Sequence, residues 1–351
     1  MAISDELTRI QTAKADIKAS IEAKGVTVPS DALIDQYADY VDEIQTGGGT
    51  KDYIVEGTEY DPTATYSGEF KPSQQIVSAD IPSGFTSIGR SAFDANTNLT
   101  SVTMPNSITS IGDYCFSGCT GLTSIEIPNN VTSIGVQAFR GCTSLTSINI
   151  PSGVTALQGV FMECTGLTSI TIPSGVTDIS YICSDCTNLE SATIPNDITN
   201  FGDSTFANCR KLKRVNSNVD GECIIPSGVT SIGISAFSYC EHLTSVVIPD
   251  SVTTLGQTAT WTTGPFYWCT GLLTVIIGTG ITSIGSQTFF NCTRLTSITI
   301  KATTPPTLVD TKTFTNTNNC PIYVPAESVE AYKAATNWST YASRIQAIPS
   351  E

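Results

Sequence analysis

The apolar residues of this chain recur in one short pattern with a period of 22 to 23 residues. The clearest copy, residues 127–149, reads Ile-Pro-x-x-Val-x-x-Ile-Gly-x-x-Ala-Phe-x-x-Cys-x-x-Leu-x-x-Ile. A period of this length is typical of a solenoid, because one such unit cannot bury its apolar face alone, whereas stacked units share a continuous core. The sequence therefore predicts a repeat solenoid of short parallel β-strands joined by turns and irregular segments.

Nine copies of the pattern can be traced along the chain. They start at Ile81, Met104, Ile127, Ile150, Ile172, Ile194, Ile225, Ile248 and Ile277. The sixth copy is lengthened by residues 216–224 and the eighth by residues 257–264. Because loops inserted into a regular array often carry function, these two insertions are candidate binding sites.

Each copy is expected to contribute two extended segments that face each other across the core. In residues 145–150, apolar residues alternate with polar ones, which predicts a short strand. Pro151 ends this strand, because proline cannot extend a hydrogen-bonded ladder. Val131 and Ile134 are expected to face the core from the opposite wall, with Phe139 filling the space between the walls.

One position of the repeat is a cysteine in eight copies, and Asn96 holds that position in the first copy. The eight are Cys119, Cys142, Cys164, Cys186, Cys209, Cys240, Cys269 and Cys292. Packing explains them, because free cysteine is among the most buried residue types. Stacked copies lie about 4.8 Å apart, within disulfide range, so pairing between neighbours stays open. Packing also accounts for the CxxC spacing of Cys183 and Cys186, and no metal site is predicted.

The motif Cys-x-x-Leu-x-x-Ile-x-Ile-Pro, with a downstream Ile-Gly and Ala-Phe, resembles the BspA-like class of leucine-rich repeats. This resemblance covers residues 81–299 and implies a curved solenoid used for adhesion or recognition, without implying one ligand. Residues 300–351, which include Pro321-Ile-Tyr-Val-Pro325, look like the segment that closes such arrays. We expect them to form a C-terminal cap, because an open end would expose core and strand edge.

Residues 1–46 differ from the repeat and predict a helical hairpin. Ser4 is placed to cap a first helix that ends at Gly25, and Ser30 opens a second helix. Because two short helices cannot enclose a core, we expect the hairpin to serve in attachment or oligomerisation. Its candidate attachment residues are Leu7, Ile10, Ile17, Ile21, Leu33, Tyr37 and Val41. Residues 47–80 are interpreted as a glycine linker followed by an N-terminal cap.

The stretches Ala13-Lys-Ala-Asp-Ile17-Lys and Ala32-Leu-Ile-Asp-Gln-Tyr37-Ala resemble short helical modules that precede repeat or fibre domains in virion proteins of gut-bacterial phages. This resemblance implies a tail-associated, fibre-associated or capsid-decorating virion component that binds other assembly proteins, or further copies of itself, through residues 1–46. The N-terminus lacks the pattern of a secretory signal, which fits synthesis in the host cytoplasm. The alternatives are a bacterial cell-surface adhesin and a purely structural decoration protein.

Composition and charge disfavour several function classes. The chain carries 17 Lys and Arg against 32 Asp and Glu, a formal net charge of −15. Nucleic-acid binding is therefore not expected, because phosphate contacts need clustered basic residues. With one histidine, His242, acid–base and metal chemistry has little to work with, so we predict no catalytic residue, no cofactor and no enzyme activity. No stretch approaches 18 apolar residues, and membrane insertion is not expected.

The sequence offers one basic candidate site at the start of the sixth-copy insertion. Lys211, Lys213 and Arg214 belong to a run that begins at Arg210. In an acidic protein such a run suits an anionic glycan or an acidic partner. The alternative is that these residues balance the charge of neighbouring carboxylates.

A second candidate site is aromatic and lies in and after the eighth-copy insertion. It includes Trp261, Tyr267 and Trp268, whose flat rings suit sugars and partner proteins. The regular Thr-Ser pairs, such as Thr146 and Ser147, also suit glycans, but β-branched Thr is common on exposed strands and the structural explanation is preferred. The expected partner of the repeats is a host surface protein or glycan.

Overall fold

The structure, a computed structural model, describes residues 77–81, 85–257 and 263–350. The predicted helical hairpin of residues 1–46, with its seven candidate attachment residues, lies outside the described residues. So do the glycine linker and most of the predicted N-terminal cap. The fold described below is therefore that of the repeats and of the segment that follows them.

The described residues form a parallel β-solenoid with two walls of short strands. The first wall contains β1 Ser78–Asp80, β3 Ser101–Thr103, β6 Ser169–Thr171, β7 Ser191–Thr193, β9 Arg214–Val215, β10 Glu222–Ile224, β12 Ser245–Ile248, β14 Thr274–Ile277, β16 Ser297–Ile300, β18 Ile322–Val324 and β19 Ile345–Ala347. The second wall contains β2 Ser87–Ile88, β4 Ser110–Ile111, β5 Ser133–Ile134, β8 Asn200–Phe201, β11 Ser231–Ile232, β13 Thr254–Leu255, β15 Ser283–Ile284 and β17 Thr307–Leu308.

Strand pairing joins equivalent positions of successive copies. In the first wall Val246 pairs with Val275, and Val275 pairs with Ile298, in parallel register. The same holds in the second wall, where Leu255 pairs with Ile284. These residues are all buried, whereas their neighbours along each strand are more exposed, as the alternation of a strand requires. The predicted solenoid of parallel strands is confirmed.

The most regular copies of the sequence do not carry the regular ladder of the first wall. Residues 124–126 and 147–149 are described but form no assigned strand, so the strand predicted within residues 145–150 is wrong. Leu145 and Ile150 are nevertheless buried, and the Thr146 amide donates to the Thr123 carbonyl over 3.5 Å, a long contact. The apolar pattern therefore fixed which side chains enter the core, but it did not fix backbone pairing.

The core is built from columns of identical side chains. Phe237, Phe266 and Phe289 lie one above another, with ring centroids 5.3 and 5.5 Å apart and ring planes within 4° of parallel. A second stack of the same kind joins Phe93 to Phe116 at 5.2 Å. The leucine, isoleucine and alanine positions of the repeat are buried in the same way. Each turn thus buries the apolar face of the next.

The segments that return from the second wall to the first, here called the turn segments, are also hydrogen-bonded to one another. The Phe93 amide donates to the Cys115 carbonyl and the Phe116 amide to the Ala138 carbonyl, each over 2.7 Å. Within every described turn segment the position just before the cysteine adopts a positive φ; examples are Gly141 at 68° and Asn208 at 60°. Few residue types adopt this left-handed conformation without strain, so glycine and asparagine are suited to it.

The cysteine column links each copy to the preceding one. Each of the eight thiols donates to the main-chain carbonyl at the phenylalanine position of the preceding copy, with sulfur–oxygen distances between 3.0 and 3.3 Å. All twelve cysteines of the chain are buried and none forms a disulfide. Burial raises the pKa of the Cys119 thiol to about 12, and it raises that of Cys142 well above the ordinary value. The thiol is therefore a structural donor rather than a nucleophile.

Both walls continue past Thr299, where the sequence analysis ended the repeats. β17 pairs with β15, β18 and β19 extend the first wall, and Phe314 stacks on Phe289 at 5.8 Å. A short 3₁₀ helix at Ala326–Ser328, helix α1 at Val329–Ala334 and a second 3₁₀ helix at Trp338–Arg344 follow. Buried Trp338 lies 5.7 Å from the Phe314 ring and donates to the Pro306 carbonyl over 2.7 Å. This segment covers the end of the phenylalanine column.

We expect the native protein to show almost no thiol reactivity. A thiol reagent such as Ellman's reagent needs an accessible thiolate, and burial removes both access and ionisation. In native buffer at pH 8 we expect fewer than one reactive thiol per chain. In guanidinium without added reductant, all twelve thiols should react. A shortfall of two or more thiols in the denatured sample would show that neighbouring cysteines pair.

Loss of Trp338 should destabilise the end of the array. Trp338→Ala removes a fully buried ring and its hydrogen bond, so the free energy of unfolding should fall by about 3–5 kcal/mol. Urea unfolding followed by circular dichroism measures this change. Exposed Thr340 provides the control, because Thr340→Ala should change stability by less than about 0.5 kcal/mol. Equal stability of the two variants would show that the segment does not serve as a cap.

Candidate functional site

The basic run predicted from the sequence is largely neutralised by carboxylates, two of which belong to neighbouring copies. Arg210 pairs with Glu241 over 3.0 Å, and Lys213 pairs with Glu190 over 3.2 Å. Arg214 pairs with Asp220, also over 3.2 Å. Exposed Lys211 has no ion pair within the described ranges. The pairs support the charge-balance alternative for three of the four residues, and no continuous basic patch forms.

The sixth-copy insertion adds one strand, β10, to the first wall. Residues 216–221 leave the wall after β9 and return at β10, so that Cys223 lies between Val215 and Val246 in the ladder. Beside the insertion, on the outer face of the first wall, lies a groove of about 560 Å³. It is lined by Ser191, Ala192, Thr193, Arg214, Asn216, Ser217 and Asn218, and is called the insertion groove below.

Four aromatic side chains meet on the turn segments of the seventh to ninth copies. Tyr239 stacks with Trp268, with centroids 6.0 Å apart and planes at 28°, and Tyr267 stacks with Phe290 at 5.4 Å and 13°. Tyr267 also meets Tyr239 edge-on at 5.8 Å and Trp268 at 6.3 Å. We call this group the aromatic corner. Trp268 is its most exposed member, with 39% of its surface accessible.

The structure thus brings Tyr267 and Trp268 together with two residues that the sequence analysis missed. Tyr239 and Phe290 belong to the copies before and after, at the one or two positions that precede the cysteine. Comparing these positions between copies would have revealed them, because they hold small or polar residues in most copies. The predicted Trp261 lies outside the described residues.

Two members of the aromatic corner occupy a left-handed backbone position. Tyr239 has φ 60° and Trp268 has φ 58°, at a position that is left-handed in every described copy and is filled by glycine, alanine, asparagine, aspartate or glutamate in the others. The left-handed conformation is therefore a property of the turn. These two copies differ from the others in the large ring that they carry there, and both rings lie on the surface side of the turn segments.

Charged groups border the aromatic corner on one side. The Arg210 guanidinium lies 5.7 Å from the Tyr239 ring centre while it pairs with Glu241. His242, which the sequence placed on the surface, is exposed, and its Nδ1 lies 2.6 Å from the Arg210 carbonyl oxygen. A partner that covers the rings would therefore meet a cation and a carboxylate at their edge.

The hydroxyl groups of the regularly repeated threonines mainly form hydrogen bonds within the solenoid itself. The hydroxyls of Thr100, Thr168 and Thr296 donate to main-chain carbonyls of the preceding copy, over 2.9, 3.4 and 2.9 Å. The second wall shows the same arrangement, as in Thr253 to Thr230 and Thr282 to Thr253. These contacts support the structural explanation for the abundance of threonine.

Within the described residues, no three His, Cys, Asp or Glu side chains are placed to hold a metal ion. Cys183 and Cys186, the CxxC pair, are both fully buried in the core columns. None of the helices in the described ranges is long and apolar enough to cross a membrane.

Comparison with known families agrees with this architecture. The model of the BspA type leucine rich repeat region matches six copies, over residues 63–183, 157–259 and 216–340. These overlapping ranges span most of the chain. The chain belongs to the BspA-type leucine-rich repeat family. No curated protein matches the chain significantly.

Several solved structures are similar to this BspA-type protein. A leucine-rich repeat protein from Bacteroides ovatus is 24% identical, with 79% of this chain and 85% of the other covered and a TM-score of 0.41. A leucine rich cell surface protein from Faecalibacterium prausnitzii is also 24% identical, with coverages of 78% and 92% and a TM-score of 0.37. The pneumococcal vaccine antigen PcpA is 19% identical, with coverages of 78% and 66% and a TM-score of 0.51.

Proposed function

We propose that this BspA-type protein is a non-enzymatic recognition and adhesion protein whose aromatic corner contacts a host envelope protein or glycan. The observation that carries the proposal is the aromatic corner itself. Its four rings come from three successive copies, and two of them stand at a surface position that non-aromatic residues fill in the other copies. The rings lie outside the core, and an exposed aromatic cluster of this kind favours a partner.

The chemistry of the aromatic corner suits a partner surface of mixed polarity. Tyrosine and tryptophan present a flat apolar body with a polar tip, and together with arginine they dominate binding energy at interfaces. Here Trp268 is exposed beside Tyr239, and Arg210 already lies over the Tyr239 ring. The stacked rings hold each other in place, so little side-chain entropy is lost when a partner binds.

Our first candidate for the setting of this activity is a phage virion, with residues 1–46 binding tail, fibre or capsid proteins. This placement rests on the apolar candidate attachment residues predicted within residues 1–46 and on the resemblance of that segment to phage modules. A bacterial cell-surface adhesin is the second candidate, which membership of the BspA-type family favours. A structural decoration protein without a ligand is the third, and the aromatic corner counts against it.

Removing the exposed tryptophan should weaken recognition without unfolding the protein. Trp268→Asn places at this position the residue that Asn208 and Asn291 provide in other copies, so the melting temperature should stay within about 3 °C. Binding of the labelled protein to intact host cells should weaken at least about tenfold, as expected for an aromatic hot spot.

Tyr181 supplies the matched control for this experiment. It is 36% exposed with φ 59°, and no ring contact joins it to the aromatic corner. Tyr181→Asn should leave binding unchanged. Equal binding by the wild type and Trp268→Asn would exclude the aromatic corner, and absence of binding by the wild type would exclude recognition.

The attachment proposal predicts that the full-length protein is part of purified phage particles. In particles assembled from a phage genome that encodes a chain without residues 1–46, the protein should be lost, because its attachment residues are gone. Mass spectrometry of density-purified particles measures both. Detection of the full-length chain in bacterial envelope fractions but not in particles would establish the adhesin instead.

A further inference from the structure

The sixth-copy insertion widens one wall of the solenoid and leaves the rest of the stack intact. On the second wall, β8 pairs directly with β11. On the first wall, both β9 and β10 stand between β7 and β12. The cysteine column is also continuous here, since the Cys240 thiol donates to the Phe206 carbonyl. The insertion therefore alters the first wall alone, where it adds buried Cys223 on the inner side and forms the insertion groove on the outer face.

The insertion groove is held open by hydrogen bonds to both neighbouring strands. Asn216 has φ 51°, which turns the chain out of β9. Its main-chain N–H donates to the Ala192 carbonyl over 3.1 Å. Its side-chain oxygen accepts from the Ile194 amide over 2.7 Å, and its side-chain nitrogen donates to the Ile224 carbonyl over 3.3 Å. The loop after β9 is thus tied to β7 on one side and to β10 on the other. A site fixed in this way needs little reorganisation on binding.

The groove lining has one cation and several hydroxyl and amide groups, and the hydroxyl of its Ser217 donates to the Glu222 carboxylate, which lies outside the lining. The hydroxyls of Ser191 and Thr193 and the side-chain amide of Asn218 make no hydrogen bond with the residues described. Arg214 uses one terminal nitrogen for its ion pair with Asp220, which is 68% exposed and lies outside the lining. Its remaining N–H groups have no protein partner within the same ranges. These are unused donors and acceptors around a preformed concave surface.

We propose that the insertion groove binds a sugar that carries a carboxylate, such as a uronic acid or a sialic acid. The Arg214 guanidinium receives the carboxylate, which it can grip with two parallel hydrogen bonds. Ser191, Thr193 and Asn218 receive the ring hydroxyls. This inference deepens the proposed recognition of an envelope glycan and rests on it, but it concerns a site separate from the aromatic corner.

Charge decides in favour of a singly charged sugar over two other ligand classes. A neutral sugar would leave the unused N–H groups of Arg214 without an anionic acceptor. A polyanion such as a nucleic acid would be repelled by a chain of net charge −15. A single carboxylate needs only to displace Asp220, and an exposed ion pair of this kind contributes little.

Saturation-transfer NMR with matched sugars tests the ligand class. The acids are glucuronic, galacturonic and N-acetylneuraminic acid, and their neutral counterparts are glucose, galactose and N-acetylneuraminic acid methyl ester. At least one acid should bind with a millimolar Kd, and its neutral counterpart should bind at least tenfold more weakly. Binding of none of the acids, or equal binding of acid and neutral sugar, would overturn the proposal.

Three point variants separate the groove from general charge effects. Arg214→Gln should weaken binding of the acid at least tenfold, whereas Asp220→Asn, which frees the guanidinium, should strengthen it up to about fivefold. Lys211→Gln removes the same charge from a neighbouring residue outside the groove lining, and affinity should stay within twofold. Equal losses of affinity in Arg214→Gln and Lys211→Gln would show that the acid responds only to the net charge of the protein and does not bind in the groove.

Deletion of residues 215–222 tests the groove as a whole. It joins Arg214 to Cys223 and restores the regular spacing of Leu-x-x-Ile-x-Ile-Pro, with cysteine at the first isoleucine position, so the solenoid should still fold with an unchanged circular dichroism spectrum. This variant keeps Arg214 but should not bind the acid, and retained wild-type affinity would place the site elsewhere. Trp268→Asn should bind the acid like the wild type, so failure of the aromatic corner and failure of the groove are distinguishable.

Discussion

Each turn of this protein is buried by the turns before and after it, and the rest of the structure depends on that stacking. Phe266 lies between Phe237 and Phe289, with nearly parallel rings, and the Cys269 thiol reaches back to the Phe237 carbonyl. The same side chain must fit above and below its own copy, so the inward positions repeat. No such requirement acts on outward positions, because their neighbours are solvent.

This division lets the array acquire binding surfaces without disturbing its core. The extra strand β10 enters the first wall where β8 and β11 remain paired on the second wall. Tyr239 and Trp268 stand at a surface position where the other copies carry non-aromatic residues, and the phenylalanine column beneath them continues unchanged. Both candidate recognition surfaces therefore lie where the repeat is broken outside the core. A protein built in this way can change its ligand while it keeps its fold.

Much of the fold and less of the candidate site could be predicted from the sequence. The period of the Ile-Pro and Cys positions predicted parallel stacking, because only a solenoid gives every copy the same environment. It did not predict the gap in the first wall near residues 147–149, since the apolar pattern encodes which side chains are buried and not which backbone groups pair. Nor did it show that Arg210, Lys213 and Arg214 meet Glu241, Glu190 and Asp220, because two of these pairs join different copies.

By itself, the sequence determined the solenoid, its core columns and the two copies that depart from the pattern. The repeat period and the burial of apolar residues are enough to predict these features, because each of them follows from the pattern within one copy. The tertiary structure alone decided that Tyr239 and Phe290 join Tyr267 and Trp268, and that Arg214 borders a groove with Ser191 and Thr193. Residues 21 to 29 positions apart become neighbours only when copies stack in register, and that register is a property of the folded array.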